Sequence, residues 1–247
     1  MEEVLALIEK RKQEFAKSGL FEFMRDKSID PRQRLAFAPC IAHFAMSFGE
    51  FNKYVFREEP TNDPIQEIVN KHSYEDDHHW LWFLEDLETL GINKSLKFSD
   101  SLKFLWNEET KASRWVTYQI FRYAFGSSPI IKLAILEVIE ATGNVFLLTA
   151  APISEELRTI TKKQLLYLGG FHLAVETGHT TGAPEAERLI ESIQLTIESR
   201  QEAFEVVENL FEAFTKLTDE LLVFAKKHSF DQPFTEPHKI LQPLKTA

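Results

Sequence analysis

The sequence predicts a protein made of α-helices alone, and three observations support that prediction. Long apolar or amphipathic segments are separated by prolines and glycines, which begin or end helices. No segment shows the alternation of apolar and polar residues that a half-buried β-strand requires. The chain has 247 residues, 44% of them hydrophobic, and can therefore bury a substantial core. We expect one all-α domain over 1–228, followed by an extended, proline-containing tail over 229–247.

Seven helices are predicted along the chain, with boundaries set mainly by proline, glycine and serine. Pro31 suits a first helical position, Ser99 an N-cap and Gly126 the end of a helix. Pro152 is expected to end the fifth helix, and Gly169–Gly170 to bend the sixth. The predicted helices cover 2–18, 31–57, 64–90, 99–125, 128–150, 153–178 and 184–228.

Charge and cysteine content disfavour several classes of function. The net charge is −10 and no basic stripe is present, so we expect neither nucleic acid nor an anionic membrane surface as a partner. No apolar run reaches the length of a membrane span, and the acidic, amphipathic N-terminus does not resemble a signal peptide. The single cysteine, Cys40, cannot form a disulfide within the chain. These features predict a cytoplasmic protein.

Two segments repeat one spacing of metal-binding residue types. Each has a histidine, a carboxylate four residues later, and a second histidine three residues after that. The residues are His72, Asp76 and His79 in the first motif, and His172, Glu176 and His179 in the second. On a continuous helix, these offsets place all three side chains of a motif on one narrow stripe.

The two motifs together predict a metal site inside a helix bundle. Histidines and carboxylates on facing helices can hold metal in a bundle core, and this mixture of ligands suits non-haem iron or manganese. A third helix should add a carboxylate, because Glu137 and Glu140 lie in a largely apolar stretch where a buried charge needs a positive partner. We favour Glu140 as a bridging ligand, although ordinary polar contacts are the alternative. In the first motif, Glu75 could replace Asp76 as the inward-facing carboxylate.

The helix pattern and these motifs resemble the haem-oxygenase-like diiron oxidases, especially their CADD-like branch. That fold family also includes TenA-like and PqqC-like proteins, and the resemblance covers about 35–228. The segment HLAVETGH matches the family's last ligand element, with Glu176 in place of an aspartate. Glu140, or the glutamate one turn before it, fits the middle carboxylate, and His79 fits the histidine of the first element. His72 departs from the pattern, because the family has glutamate there.

The resemblance implies a haem-oxygenase-like bundle of about seven helices and an oxygen-dependent oxidase. One or two non-haem iron ions would bind, with manganese as an alternative. The partners would be O2 and a small apolar or amphipathic substrate. A metal-free enzyme or small-molecule binder similar to TenA and PqqC is a second hypothesis, favoured by the departure at His72, and a non-catalytic interaction protein is a third. A homodimer is one assembly left open.

Overall fold

Helices form the secondary structure of the protein, and the all-α prediction is confirmed. The computed structural model describes residues 1–93, 95–176 and 189–231, and no strand occurs within these ranges. The helices are α1 (Glu2–Phe15), α2 (Gly19–Arg25), α3 (Pro31–Arg34), α4 (Ala42–Phe51), α5 (Pro64–Asp76), α6 (Trp80–Thr89), α7 (Phe98–Leu105), α8 (Lys111–Ala124), α9 (Pro129–Thr161), α10 (Gly170–Glu176) and α11 (Ile197–Lys227). Short 3₁₀ turns at Ala38–Ile41 and Glu108–Thr110, and a π turn at Asn52–Phe56, join some of them.

The predicted helix over 64–90 is wrong in one important respect, because it is interrupted after Asp76. The side chain of Arg57 donates hydrogen bonds of 2.9 Å both to the backbone carbonyl of Ser73 and to the carboxylate of Asp77. A continuing α-helix would use that carbonyl for the amide of residue 77. The competing bond from Arg57 accounts for a turn at this point, so α6 starts afresh after His79. The predicted helices over 31–57 and 99–125 are also each divided into shorter helices.

The predicted boundary near Pro152 is wrong in the opposite sense, because α9 continues through this proline. A proline inside a helix costs about 3 kcal/mol. Packing of α9 against α1, α5, α8, α10 and α11 offsets that cost. Gly169 does not bend a helix, since α10 begins one residue later. A Cβ atom on Gly169 would clash with the carbonyl of Leu165 and lie 2.7 Å from the Ser154 hydroxyl.

The central helix of the fold is α9, which is buried along most of its length between α1, α5, α8, α10 and α11. This arrangement brings α5, α9 and α10 side by side, and these helices carry the predicted metal ligands. Among the described helices, none combines the length and the apolar character needed to cross a membrane. Most of the predicted tail over 229–247 lies outside the described residues.

Candidate metal centre

Three helices and one turn bring five of the predicted ligands together. His72 and Asp76 lie on α5, Glu140 lies on α9 and His172 lies on α10. His79 lies in the turn between α5 and α6, rather than on the helical stripe that the spacing predicted. The three histidines and Asp76 are buried, and Glu140 is half-buried.

His72 lies between two carboxylates. Its Nε2 atom is 3.1 Å from Asp76 Oδ2 and 3.3 Å from Glu140 Oε1. One donor atom from each of the three residues lies within 4.8 Å of the others. Burial disfavours a charged imidazole, but Asp76 and Glu140 outweigh that effect and raise the pKa of His72 well above its ordinary value. The pair of carboxylates therefore creates a position that favours positive charge.

His79 and His172 form a second group beside the first. The Nε2 atom of His172 is 3.1 Å from Nδ1 of His79, so the two sequence motifs meet in space. The same Nδ1 atom of His79 is 3.5 Å from Oδ1 of Asp76. Since the other oxygen of Asp76 faces His72, this carboxylate lies between the two groups. The bridging role of Glu140 stays a prediction, and its Oε1 atom lies 3.3 Å from His72 Nε2.

The spacing of these atoms fits metal coordination. Imidazole nitrogen binds a metal such as zinc at about 2.0–2.1 Å, so neighbouring ligand atoms at right-angled to tetrahedral angles lie roughly 3.0–3.4 Å apart. The closest donor pairs here, at 3.1 and 3.3 Å, have this separation. Imidazole and carboxylate oxygen together form a donor set suited to iron, manganese or zinc. The residues present therefore fit a bound cation.

A buried turn before α10 fixes the orientation of His172. The Nδ1 atom of His172 donates to the backbone carbonyl of Tyr167 at 2.9 Å, so Nε2 is the nitrogen that carries the lone pair. Asp86, on α6, accepts bonds of 2.6 and 2.7 Å from the backbone amides of Leu166 and Leu168. Burial raises the pKa of Asp86 to about 6, although these backbone amides oppose the shift. Sequence analysis missed this support, because Tyr167 acts through its backbone and Asp86 lies in a charged segment.

Trp82 holds the ring of His79 in place. The two rings are stacked, with centroids 4.2 Å apart and an angle of 20° between their planes. Trp82 also meets His172 edge to face, at 5.7 Å. Sequence analysis did not identify Trp82 as part of the site. The indole restricts both imidazoles to orientations in which their nitrogens converge.

A largely apolar cavity of about 120 Å³ adjoins the cluster. Asp76, His79, Glu140 and His172 form part of its wall, and most of the remaining wall consists of aromatic and aliphatic side chains. Among the described residues that line it, none is a lysine or an arginine. The apolar walls are contributed mainly by α4, α9 and α11, including Phe44, Phe48, Phe146, Phe214, Leu217 and Leu221.

The structure describes the other predicted ligands only in part. His179 lies outside the described residues, and so does the side chain of Glu176, whose backbone ends α10. Glu75 on α5 and Glu137 on α9 are half-buried. Asp76 and Glu140 each have a carboxylate oxygen within 3.3 Å of His72 Nε2.

Comparison with known proteins identifies the fold. No model of a known protein family matches the chain, and no curated protein is significantly similar in sequence. Among solved structures, a domain of unknown function with a heme oxygenase-like fold from Shewanella denitrificans OS217 matches with a TM-score of 0.54 and 14% sequence identity. The match covers 91% of this chain and 90% of that chain. The predicted haem-oxygenase-like fold is therefore confirmed at the level of the fold.

Proposed function

We propose that this protein is a non-haem iron oxidase that uses O2 to oxidise a small apolar or amphipathic molecule. The observation that carries the proposal is the position of Asp76. This buried carboxylate has one oxygen 3.1 Å from His72 and the other 3.5 Å from His79, and so connects two groups of candidate ligands. The geometry supports a metal, while the choice of iron and O2 comes from the resemblance to CADD-like diiron oxidases. A cytoplasmic location is part of the proposal.

The candidate ligands divide between two positions. His72, Asp76 and Glu140 would hold one ion, while His79 and His172, with the second oxygen of Asp76, would hold the other. Glu176 and His179, which follow His172 in the sequence, would complete the second position. Ferrous iron bound there would supply the electrons that activate O2 towards the substrate. Manganese is the alternative metal for the same ligands.

The chain itself would bind the substrate and keep water away from the reacting groups. The apolar cavity accepts a hydrocarbon body, and its polar atoms are concentrated where Asp76, His79, Glu140 and His172 meet it. A substrate would therefore place its reacting end at the cluster and its apolar part between α4, α9 and α11. The described residues of the wall include no lysine or arginine that could pair with an anionic group at the far end.

Metal content after growth in iron-rich medium tests the proposal most directly. Two adjacent histidines provide a matched comparison, since His79 is buried in the cluster whereas the side chain of His78 is 50% exposed. His79→Ala should remove most of the bound iron, and His78→Ala should retain it. Equal iron in both variants, or none in the parent protein, would refute the metal site.

The residue that departs from the family pattern can be tested separately. If His72 is a ligand, His72→Ala weakens ferrous iron binding and His72→Glu strengthens it, because the added carboxylate faces a dication. Asp76→Asn should reduce binding further than His72→Ala does, since Asp76 faces both groups. Glu75→Gln is the control on the same helix. If Glu75→Gln removed the iron and Asp76→Asn had little effect, Glu75 rather than Asp76 would be the metal ligand.

A metal-free enzyme or binder of the same fold is the second candidate, and one observation favours it. The raised pKa of His72 means that a proton alone can supply the positive charge between Asp76 and Glu140. The histidine and carboxylates would then act as acid and base groups beside the cavity. A parent protein that contains no iron or manganese and binds neither ion in titration would favour this candidate.

A further inference from the structure

An aromatic surface that the proposed metal site does not use is exposed along helix α8 and at two residues beyond its ends, Trp106 and Phe125. Its members are large side chains, each between 43% and 66% exposed. They are Trp106, Trp115, Tyr118, Phe121 and Phe125. We call this set the aromatic face. The solvent side of a surface helix normally carries charged and polar residues, so this composition needs an explanation.

The aromatic face is continuous across its members. Trp115, Tyr118 and Phe121 follow one another at three-residue intervals, which makes them neighbours on the helix surface. The ring of Phe121 stacks on that of Phe125 with centroids 5.1 Å apart. Trp106 joins the surface through His43, whose ring centroid is 5.7 Å from that of Trp106 and 6.0 Å from that of Tyr118.

Packing among the described residues does not account for this surface. The opposite side of α8 already supplies the core, because Val116, Ile120 and Ala124 are fully buried. The aromatic face is therefore a second apolar side of the same helix. Aromatic side chains bury about 150–250 Å² each, so the exposed fractions leave roughly 500 Å² available. Two such surfaces together reach about 1,000 Å², near the lower limit of a specific interface.

We propose that a second copy of this chain covers the aromatic face, with the two α8 helices antiparallel across a two-fold axis at Tyr118. Such a contact is self-complementary, as an interface between identical chains must be. With Tyr118 on the axis, Trp115 of each copy lies opposite Phe121 of the other. Lys111 of each copy then lies beside the C-terminal end of the opposite helix, where the helix dipole favours a cation.

The charge of α8 supports association with an identical chain. The whole chain has a net charge of −10, which opposes the approach of two copies. Helix α8 contains no carboxylate, however, and its exposed charges are Lys111 and Arg122. The aromatic face is therefore a surface at which two acidic chains can meet without placing α8 carboxylates against each other. This proposal is independent of the metal site.

Sedimentation of the full-length protein tests the interface. Wild type should have twice the 28.6 kDa mass of one chain. Tyr118→Arg and Trp115→Lys should each weaken the dimer roughly 30-fold or more, as expected for a central aromatic residue, while helicity is unchanged. Val223→Arg, at a 64% exposed position on α11, is the matched control and should leave the dimer intact.

Crosslinking locates the axis. Tyr118→Cys should form a disulfide between two copies under mild oxidation, while Val223→Cys should not. Native Cys40 does not interfere, because only 1% of it is exposed. Monomeric wild type at all concentrations overturns the proposal, even if the monomer binds some other protein. The proposal is also overturned if Tyr118→Arg and Trp115→Lys both dimerise as tightly as wild type. Equal crosslinking at the two engineered cysteines overturns it as well.

Discussion

Replacing Asp86 by asparagine tests whether the turn before α10 holds His172 in position for a metal. Asparagine has the same shape as aspartate but offers one acceptor oxygen, and the wild-type carboxylate accepts from two backbone amides, those of Leu166 and Leu168. One of these two backbone amides would then face the side-chain amino group of the asparagine instead of an acceptor oxygen. The turn should shift, and with it the carbonyl of Tyr167 that lies 2.9 Å from Nδ1 of His172.

The expected size of the effect follows from these contacts. A buried donor left without an acceptor costs about 1–3 kcal/mol of stability. Loss of a group that orients a metal ligand typically weakens metal binding about 10–100-fold. We therefore expect Asp86→Asn to bind ferrous iron 10-fold or more weakly and to unfold more easily without metal. Both effects should appear together, since one displaced turn causes them.

The stability effect should depend on pH. The pKa of Asp86 is raised to about 6 in the folded protein, compared with 3.8 for the ordinary group. A carboxyl with a raised folded pKa contributes stability that is complete below the unfolded pKa and is lost as pH rises through the folded pKa. At about 1.4 kcal/mol per pKa unit, wild type should lose roughly 3 kcal/mol between about pH 4 and pH 7 through this group. Asparagine does not titrate, so the stability deficit of Asp86→Asn should be largest near pH 4 and should disappear or reverse by about pH 7.

Urea unfolding of metal-free protein and titration with ferrous iron measure the two effects. Glu85→Gln is the control, because it removes an exposed carboxylate from the adjacent position of α6. That variant should match wild type in both measurements. If Asp86→Asn bound iron as tightly as Glu85→Gln, the turn would not position His172. If its stability deficit were the same at every pH, the raised pKa of Asp86 would be incorrect.

Three further substitutions test the surroundings of the site. Trp82→Phe should remove most of any fluorescence quenching caused by a paramagnetic metal, because Trp82 stacks on His79 at 4.2 Å, whereas Trp115→Phe should retain it. Gly49→Ala should cost about 1–3 kcal/mol in urea unfolding, because overpacking strains a close contact, and its Cβ would lie 2.8 Å from the Trp80 ring. Gly143→Ala should instead stabilise α9 by about 0.5–1 kcal/mol through helix propensity, since nothing lies within 4 Å of its added Cβ. Equal quenching in the two tryptophan variants, or equal stability changes in the two glycine variants, would contradict these expectations.

The sequence predicted the meeting of the two motifs because residue type and spacing carry that information locally. His72 and His172 lie in segments with helical periodicity, and Glu140 lies in an apolar stretch where a carboxylate needs a partner. The structure brings these residues to one cluster. Composition and the absence of β alternation were likewise sufficient to predict an all-α fold.

The interruption of the helix at Asp76 could not be predicted in the same way. Its cause is Arg57, which belongs to a preceding segment and reaches the carbonyl of Ser73 from outside the helix. Periodicity describes one helix at a time and contains no information about such a contact. The continuation of α9 through Pro152 has a similar origin, because packing by five other helices offsets a locally unfavourable residue.

The interruption of the helix after Asp76 determines which atoms His72 and His79 face. Because the chain turns after Asp76, His72 and His79 reach opposite oxygens of that carboxylate instead of sharing one stripe. With a metal bound, His72 would be the neutral ligand of a group whose other members are Asp76 and Glu140. Two carboxylates balance the charge of one dication, and a glutamate at position 72 would supply a third negative charge. A second dication would therefore depend on carboxylates beyond these two, and Glu176, which follows His172 in the second motif, is the one predicted for that position. The number of iron ions bound per chain should therefore be measured in the parent and in His72→Glu. This comparison tests whether histidine in place of the family's glutamate at position 72 determines the number of metals.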